Sequence, residues 1–166
     1  IPVKEEFKKE KIENHKKVKE ILIMGGGLGI IPNSKKIINE LSKNNNYHLT
    51  IITGKNKKLK KKLLKQFNNI EVVGYTNSVA YYLNRADILI TKSGGITTFE
   101  AINMGTPLFV VKPFLLQEIG NAEFIDQYNL GKVMWKNKVN ITYEIDSMLN
   151  DKKELKDISV EDLLAR

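Results

Sequence analysis

The segment of this chain best suited to chemistry connects a strand-like run to a helix-like run. It reads TKSGGITTFE from Thr91 to Glu100 and follows the apolar residues 86–90. A strand that stops at Gly94 and Gly95 and turns into a helix leaves backbone N–H groups at the helix start, where they favour an anion such as phosphate. Glu100, about one turn into the helix, can accept hydrogen bonds from paired hydroxyls such as those of a ribose. Phosphate and ribose together predict a nucleotide.

A structural role explains part of the same segment. Thr97-x-x-Glu100 matches a capping box, in which each side chain accepts a hydrogen bond from the other residue's backbone N–H. A ligand is supported by the next candidate loop, residues 112–121, because Gln117 and Glu118 offer the donors and acceptors that sugar hydroxyls need. An ordinary helix start with an acid in its first turn would also place Glu118 there. The residues alone leave both interpretations open.

A second glycine-rich turn follows the apolar run 21–24, in the order Gly25-Gly26-Gly27-Leu28-Gly29-Ile30. Glycines let the backbone approach a ligand closely, whereas a turn that needs glycine only for its geometry is the alternative. The dinucleotide fingerprint fits poorly, because its third glycine is missing and the second strand ends in Thr53-Gly54 instead of an acidic residue. The GxxxxGK[ST] phosphate loop is also absent. These turns therefore disfavour NAD and ATP bound by such routes.

Composition removes several classes of site. The 166 residues contain no cysteine, which excludes disulfides, thiol nucleophiles and thiolate metal sites. His15 and His48 are the two histidines, and neither has an acidic or histidine partner at ligand spacing in the sequence. No apolar run approaches the length of a membrane span. We therefore expect no metal and no resident cofactor, and a cytoplasmic location is the default.

The net charge of +8 suggests an acidic partner. The cations are nearly all lysines, with Arg85 and Arg166 as the two arginines, whereas nucleic-acid readers use arginine and interleaved aromatic residues. We therefore expect no nucleic-acid partner. The densest cluster, Lys55–Lys65, is typical of the solvated face of a helix, and contact with an anionic membrane surface is the alternative. The apolar side of that helix would carry four side chains: Leu59, Leu63, Leu64 and Phe67.

The elements that must position these loops alternate regularly. Strand-like runs occur at Glu20–Met24, His48–Thr53, Ile70–Val73, Asp87–Ile90, Pro107–Val111 and Lys132–Trp135. Helix-like runs occur at 33–44, 56–67, 77–84, 97–104, 119–128, 141–149 and 160–165. We expect Asn33, Asn56 and Asn77 to be N-caps, and Gly105-Thr106-Pro107 to end one helix and start a strand. Such alternation predicts an α/β fold, a Rossmann-like parallel sheet of about six strands with helices on both faces. Ligands then bind outside the carboxyl ends of the strands.

The order and spacing of four motifs resemble one family. They are Gly25-Gly26-Gly27-Leu28-Gly29, the segment from Thr91 to Ala101, Gly105-Thr106-Pro107, and Gln117-Glu118-x-x-Asn121-Ala122. Together they resemble the C-terminal domain of glycosyltransferase family 28, which has the GT-B fold. That family includes processive diacylglycerol glucosyltransferases, monogalactosyldiacylglycerol synthase and the N-acetylglucosaminyltransferase that completes lipid II.

The resemblance implies a donor site for a UDP-sugar. Its members here would be Gly26, Gly27 and Leu28 in the first turn, Tyr75 and Thr76 in the uracil loop 74–77, Ser93, Gly94, Gly95, Ile96 and Thr97 around the diphosphate, Glu100 on the ribose, and Gln117, Glu118 and Asn121 near the sugar. The Gln117-Glu118 pair looks more like the diacylglycerol hexosyltransferases, which favours UDP-glucose or UDP-galactose. Leu115 and Leu116 depart from the small turn, containing proline and glycine, that is common before that pair.

The resemblance also implies a division of labour. Residues 1–19 would be a lead-in from an N-terminal acceptor domain that this chain lacks, and residues 20–166 would bind the donor. Since the family's acceptor site and general base lie mainly in that other domain, no catalytic residue is expected in this fragment, which would bind donor and transfer little. Transfer would be inverting and metal-independent, to a lipid acceptor such as diacylglycerol, at the inner face of the cell membrane.

Three other interpretations fit the same residues. A stand-alone subunit could dock on a membrane partner to form an N-acetylglucosaminyltransferase. A non-catalytic nucleotide-binding or nucleic-acid-binding module could use the lysine-rich helix. A nucleotide-sugar epimerase of related fold would need catalytic acids from outside this chain.

Overall fold

Strands and helices alternate strictly through the part of the chain that the computed structural model describes, residues 18–25, 31, 33–136 and 139–150. The strands are β1 (Lys19–Met24), β2 (Tyr47–Gly54), β3 (Glu71–Gly74), β4 (Ile88–Thr91), β5 (Leu108–Val110) and β6 (Gly131–Val133). The helices are α1 (Ser34–Ser42), α2 (Lys57–Gln66), α3 (Val79–Arg85), α4 (Gly95–Met104), α5 (Leu116–Gln127) and α6 (Ile141–Asn150). The predicted helix at 160–165 and most of the predicted lead-in lie outside the described residues.

The six strands form one sheet in the order β3-β2-β1-β4-β5-β6, and every neighbouring pair is parallel. The apolar strands are buried on both faces, because side chains of alternating strand positions enter two separate cores. Leu22 and Leu89 pack with α3, α4 and α5 on one face, whereas Ile21 and Ile23 pack with α1, α2 and α6 on the other. This arrangement confirms the predicted doubly covered parallel sheet.

The ends of the helices follow the sequence expectations only in part. Asn56 caps α2, with its side chain accepting from the Leu59 N–H at 3.0 Å. Asn33 precedes α1 in a left-handed conformation with φ 59° and makes no side-chain cap, and Ser78, not Asn77, is the N-cap of α3. Gly105 ends α4 as expected, with φ 75°, a conformation that favours glycine.

The lysine-rich helix α2 is amphipathic, as its sequence predicts, with one exception. Leu63 is buried, and Leu59 and Phe67 pack against the same core. Leu64 was wrongly expected on that apolar face, since 54% of it is exposed. Residue 64 follows Leu63 by about 100° around the helix and therefore faces solvent. None of the helices in the described ranges is both long enough and apolar enough to cross a membrane.

A charged network lies toward the amino ends of β1, β2 and β3, on the face that α3 covers. Arg85 donates to the Glu71 carboxylate and to Thr50, both at 2.8 Å, and Thr50 donates to Glu71 at 3.0 Å. His48 Nδ1 lies 2.6 Å from Glu20. Burial opposes ionisation of Glu71, but the hydrogen bonds from Arg85 and Thr50 outweigh it and hold the pKa of that carboxyl below its ordinary value. Burial lowers the pKa of Arg85, but the hydrogen bond to Glu71 and the charge of that carboxylate outweigh this effect and raise it.

The acidic partners of His48 come from β1 and from β3, so their spacing in the sequence gave no sign of them. On the opposite face, Tyr47 donates to Asp146 of α6 at 3.2 Å. Burial and then the Asp146 charge raise the pKa of Tyr47 to about 12. Both sets of contacts lie at the end of the sheet opposite the glycine-rich turns.

Candidate functional site

The sheet has a topological switch between β1 and β4, because the chain continues from β1 toward β2 on one side and from β4 toward β5 on the other. In an open parallel sheet, ligands occupy the crevice outside the carboxyl ends of the strands at such a point. The turns that contain Gly25 and Gly94 follow β1 and β4 and therefore both open on this crevice. Gly26, Gly27 and Leu28 lie outside the described residues, so their predicted role stays a prediction.

The start of α4 has the geometry of an anion site. Gly94 is the N-cap in an extended conformation, with φ −73° and ψ 159°, and the helix begins at Gly95. Because glycine has no side chain, this N-cap offers no acceptor to the first N–H groups of α4, which point toward the crevice. Thr97 is the third helical residue and not the N-cap, so the capping-box interpretation of Thr97-x-x-Glu100 is wrong.

Glu100 lies on the same face of α4 as Ile96 and Thr97, which precede it by four and three residues. The residue is half-buried, and Ile96 is 60% exposed at the helix start. The carboxylate of Glu100 lies one turn beyond the first backbone N–H groups of α4. It can therefore accept hydrogen bonds from hydroxyls next to an anion that those N–H groups bind. This placement agrees with the ribose role that the resemblance implies.

Three lysines add positive charge along the same edge of the sheet. Lys55, Lys92 and Lys112 immediately follow, or lie one residue beyond, the carboxyl ends of β2, β4 and β5. The Lys92 Cε atom lies 4.0 Å from the point where a Cβ on Gly94 would be, which places its side chain beside the α4 N-terminus. A role for Lys92 and Lys112 at this edge was not predicted from the sequence, and Lys55 was assigned to the lysine cluster of the following helix, although all three follow strands in the sequence. Together with the helix dipole they favour a polyanion such as a diphosphate.

The side chains of Ser93 and Asn121 join the β4–α4 turn to α5. Ser93 is fully buried, and its hydroxyl donates to the Glu118 carbonyl at 2.6 Å. The Asn121 amide donates to the Ser93 carbonyl at 2.8 Å. The structure therefore brings the predicted residues Ser93, Glu118 and Asn121 together, and it gives Ser93 and Asn121 a positioning role.

Glu118 forms the polar start of α5. Its Oε2 accepts from the backbone N–H groups of Phe114 at 3.1 Å and Leu115 at 3.3 Å. The interpretation of Glu118 as an acid in the first turn of a helix is thus confirmed. Its predicted contact with the sugar stays a prediction. Gln117, the adjacent residue, is exposed at the same edge.

Tyr75 and Thr76 lie apart from the rest of the predicted site. They follow β3, which is three strand spacings from β4, about 14 Å. Tyr75 is 66% exposed with the Lys55 Nζ 5.6 Å from its ring centroid, and the Thr76 hydroxyl oxygen accepts from the Ser78 N–H at 3.0 Å. A single ligand that reaches both loops must therefore be elongated along the edge of the sheet.

Comparison with protein-family models decides the classification. Residues 20–160 match the model of the glycosyltransferase family 28 C-terminal domain. The chain belongs to this family. The family 28 domain covers the sheet, both glycine-rich turns and α5, so the resemblance seen in four motifs extends to the described fold.

Curated relatives and solved structures agree with this classification. The chain is 31% identical over 159 residues to a processive diacylglycerol β-glucosyltransferase of Bacillus pumilus, covering 93% of this chain and 41% of that protein. It is 31% identical over 169 residues to the protein of the same name from Bacillus subtilis, covering 95% and 44%. The crystal structure of Acinetobacter baumannii MurG is similar in fold, with a TM-score of 0.67, 19% identity, and coverage of 90% of this chain and 46% of that one. The family 28 domain thus spans about two fifths of the length of these relatives.

Proposed function

We propose that this family 28 domain binds the nucleotide-sugar donor of an enzyme that transfers a hexose from UDP to a lipid acceptor such as diacylglycerol. The observation that carries the proposal is the position of Glu100, one turn behind the bare N-terminus of α4 and Gly94. The printed names of the curated relatives support the lipid acceptor. Tyr75 and Thr76, about 14 Å away along the edge, support a ligand with a base at one end and a sugar at the other.

The chemistry follows from the charges at this edge. When an acceptor hydroxyl attacks the anomeric carbon, its proton passes to a general base of the acceptor domain, the bond to the diphosphate breaks, and UDP leaves with its negative charge. The N–H groups of α4 and the Lys92 side chain beside Gly94 stabilise that developing charge. Because the attack comes from the face opposite the leaving group, the anomeric configuration inverts. This electrostatic support performs the work that a divalent ion would otherwise do, so we propose metal-independent transfer.

Membrane contact is part of the same proposal. Diacylglycerol resides in a bilayer, so its hydroxyl reaches the donor only at the membrane surface. Helix α2 presents Lys57, Lys58, Lys61, Lys62 and Lys65 as exposed residues, and each lysine near an anionic surface contributes about 1 kcal/mol of attraction. We propose peripheral association with the inner face of the cell membrane and no nucleic-acid partner.

Donor binding is tested by calorimetry on the intact protein. We expect UDP to bind and ADP to bind far more weakly. Glu100→Ala should weaken UDP binding by about tenfold to a hundredfold, because two hydrogen bonds to a charged acceptor are lost. Glu123→Ala is the matched control, since Glu123 is an exposed carboxylate on α5.

Two results would contradict the proposal. One is the absence of UDP binding by the intact protein. The other is equal affinity for UDP and ADP, which would show that the loop after β3 does not select the base. A panel of UDP-glucose, UDP-galactose and UDP-N-acetylglucosamine in the same assay identifies the sugar.

A further inference from the structure

Three consecutive large apolar side chains are exposed at the donor edge of the sheet. Phe114, Leu115 and Leu116 are 62%, 67% and 88% exposed, and Gln117 follows them directly. Single exposed apolar residues are common on protein surfaces, but a contiguous group marks a contact surface. We call residues 114–116 the apolar loop.

Hydrogen bonds hold the backbone of the apolar loop. Glu118 Oε2 accepts from the N–H groups of Phe114 and Leu115, and the Leu115 carbonyl accepts from the Ile119 N–H at 2.9 Å. The Lys112 Nζ lies 5.7 Å from the centroid of the Phe114 ring. The apolar side chains are therefore displayed outward by a defined turn that is anchored in α5.

A small cavity adjoins the apolar loop at the carboxyl edge of the sheet. Its volume is about 50 Å³, and Lys112 and Phe114 form one of its walls. The rest of the lining is mixed: Ile37, Val111, Met134, Val139 and Ile141 are apolar, whereas Asn33 and Glu40 are polar. Lys36 adds a second ammonium group. The apolar loop therefore borders a cavity whose lining is partly apolar and partly polar, with two ammonium groups and one carboxylate, and this combination fits an amphiphile.

Resting on the proposed function, we propose that the apolar loop contacts the apolar body of the lipid acceptor and sets the preference of the enzyme for long-chain acceptors. In a diacylglycerol, the reacting hydroxyl is only a few bonds from the two ester-linked chains. An acceptor that brings its hydroxyl to a hexose held at Gln117 must therefore bring its chains within reach of the neighbouring Leu116 and Leu115. Lys112 and Lys36 can donate to the ester carbonyl oxygens. The family resemblance implies that the acceptor site lies mainly in the other domain. On this proposal, the donor domain also contributes to the selection of the acceptor.

The position of the apolar loop favours this occupant over the others. Another protein domain packed firmly on Leu116 would cover Gln117 and the sugar beside it. A bilayer would also accept these side chains, but it does not require the cavity that shares Phe114 and Lys112 with the loop. The acceptor uses both features at once.

The test compares the full-length enzyme that contains this domain with its Leu115→Ser/Leu116→Ser variant, using diacylglycerol dispersed in detergent micelles. Both side chains are exposed, so the fold should be retained. We expect the KM for dioleoylglycerol to rise about tenfold, because two apolar contacts are lost, and the KM for dioctanoylglycerol to rise less. The Kd for UDP and the KM for the sugar donor should stay within about twofold. Val18→Ser is the matched control, because Val18 is an exposed apolar residue just before β1, at the opposite end of the sheet.

Each outcome separates this inference from the function on which it rests. An unchanged acceptor KM in the variant, with UDP binding and turnover intact, would overturn the inference alone. So would a loss that appears with vesicles and not with micelles, since the apolar loop would then bind the bilayer. If the wild-type protein does not bind UDP, the proposed function fails and the inference fails with it.

Discussion

The hydrogen bonds between the β4–α4 turn and α5 give a quantitative test of how the donor site is held. Ser93→Ala removes the 2.6 Å bond from the Ser93 hydroxyl to the Glu118 carbonyl. Asn121→Ala removes the 2.8 Å bond from the Asn121 amide to the Ser93 carbonyl. A neutral hydrogen bond contributes about 1 kcal/mol net, and more where the remaining partner cannot reach water. Ser93 is fully buried and Asn121 half-buried, so we expect losses of about 1.5 and about 1 kcal/mol.

Thermal unfolding measures these losses directly. For a domain of this size, 1 kcal/mol corresponds to a fall in Tm of about 2–4 °C. We therefore expect Ser93→Ala to lower Tm by about 3–6 °C and Asn121→Ala by about 2–4 °C. Gln127→Ala, an exposed amide in the last turn of α5, is the control and should leave Tm nearly unchanged.

UDP affinity distinguishes positioning from contact. If the two side chains act by holding the turn, calorimetry should show UDP affinity falling about threefold to tenfold in each variant, together with stability. The double variant should deviate from additivity, because Asn121 bonds to the backbone of Ser93 itself. A loss of UDP affinity of about a hundredfold in Asn121→Ala without any change in Tm would refute this reasoning. Asn121 would then touch the donor, as the family resemblance alone implied.

Three further predictions concern the stability of the fold. The carboxyl of Glu71 has a lowered pKa in the folded state, so its bond to Arg85 stabilises the fold above pH 4.5 and is lost as the pH falls through the folded-state pKa. Allowing for its exposure, Glu71→Gln should cost about 1 kcal/mol at neutral pH, and this cost should shrink as the pH is lowered below 4.5 in a series of urea unfolding experiments. At the other end of the sheet, a Cβ on Gly131 would lie 2.1 Å from the Leu108 carbonyl oxygen, so Gly131→Ala must displace β6 and should cost about 2–4 kcal/mol. Gly120→Ala places no atom within 4 Å of the new methyl group, so it should instead stabilise α5 by up to about 1 kcal/mol. Urea unfolding measures both glycine variants. A destabilised Gly120→Ala or a neutral Gly131→Ala would contradict these two estimates.

The local patterns in the sequence predicted the elements and their class well. Strands and helices differ in their hydrophobic period, about 2 residues against 3.6. The short apolar runs therefore predicted each of the six described strands to within two residues at either end. Errors occurred where one residue decides the outcome. Thr97 looked like an N-cap because Glu100 follows it three residues later, but the N-cap is Gly94 and the helix starts at Gly95. The prediction was wrong because glycine is a weaker N-cap signal in a sequence than threonine.

For the candidate site, the sequence predicted a set of residues whose roles as ligand contacts stay predictions, and it did not reveal the contacts that these residues make with one another. Glycine pairs after strands and an acid one turn into a helix are recognisable from composition and spacing, and residues 20–160 confirm the family. Ser93 and Asn121 could be chosen from the motifs, but their bond to each other could not be foreseen. It joins residues 28 positions apart, which meet only because β4 and β5 are neighbours in the sheet.

The sequence by itself determined the alternation of buried strands and amphipathic helices and the two turns that open on the crevice, because these depend on interactions between residues a few positions apart. The tertiary structure decided what lies beside those turns. Strand order placed Lys55, Lys92 and Lys112 along one edge of the sheet and paired His48 with acids from two other strands. It also brought the apolar loop beside a cavity lined by residues of α1 and α6, and it left the side chains of the loop exposed. Such neighbours depend on long-range register and crossover, which the periodicity of a single segment does not encode.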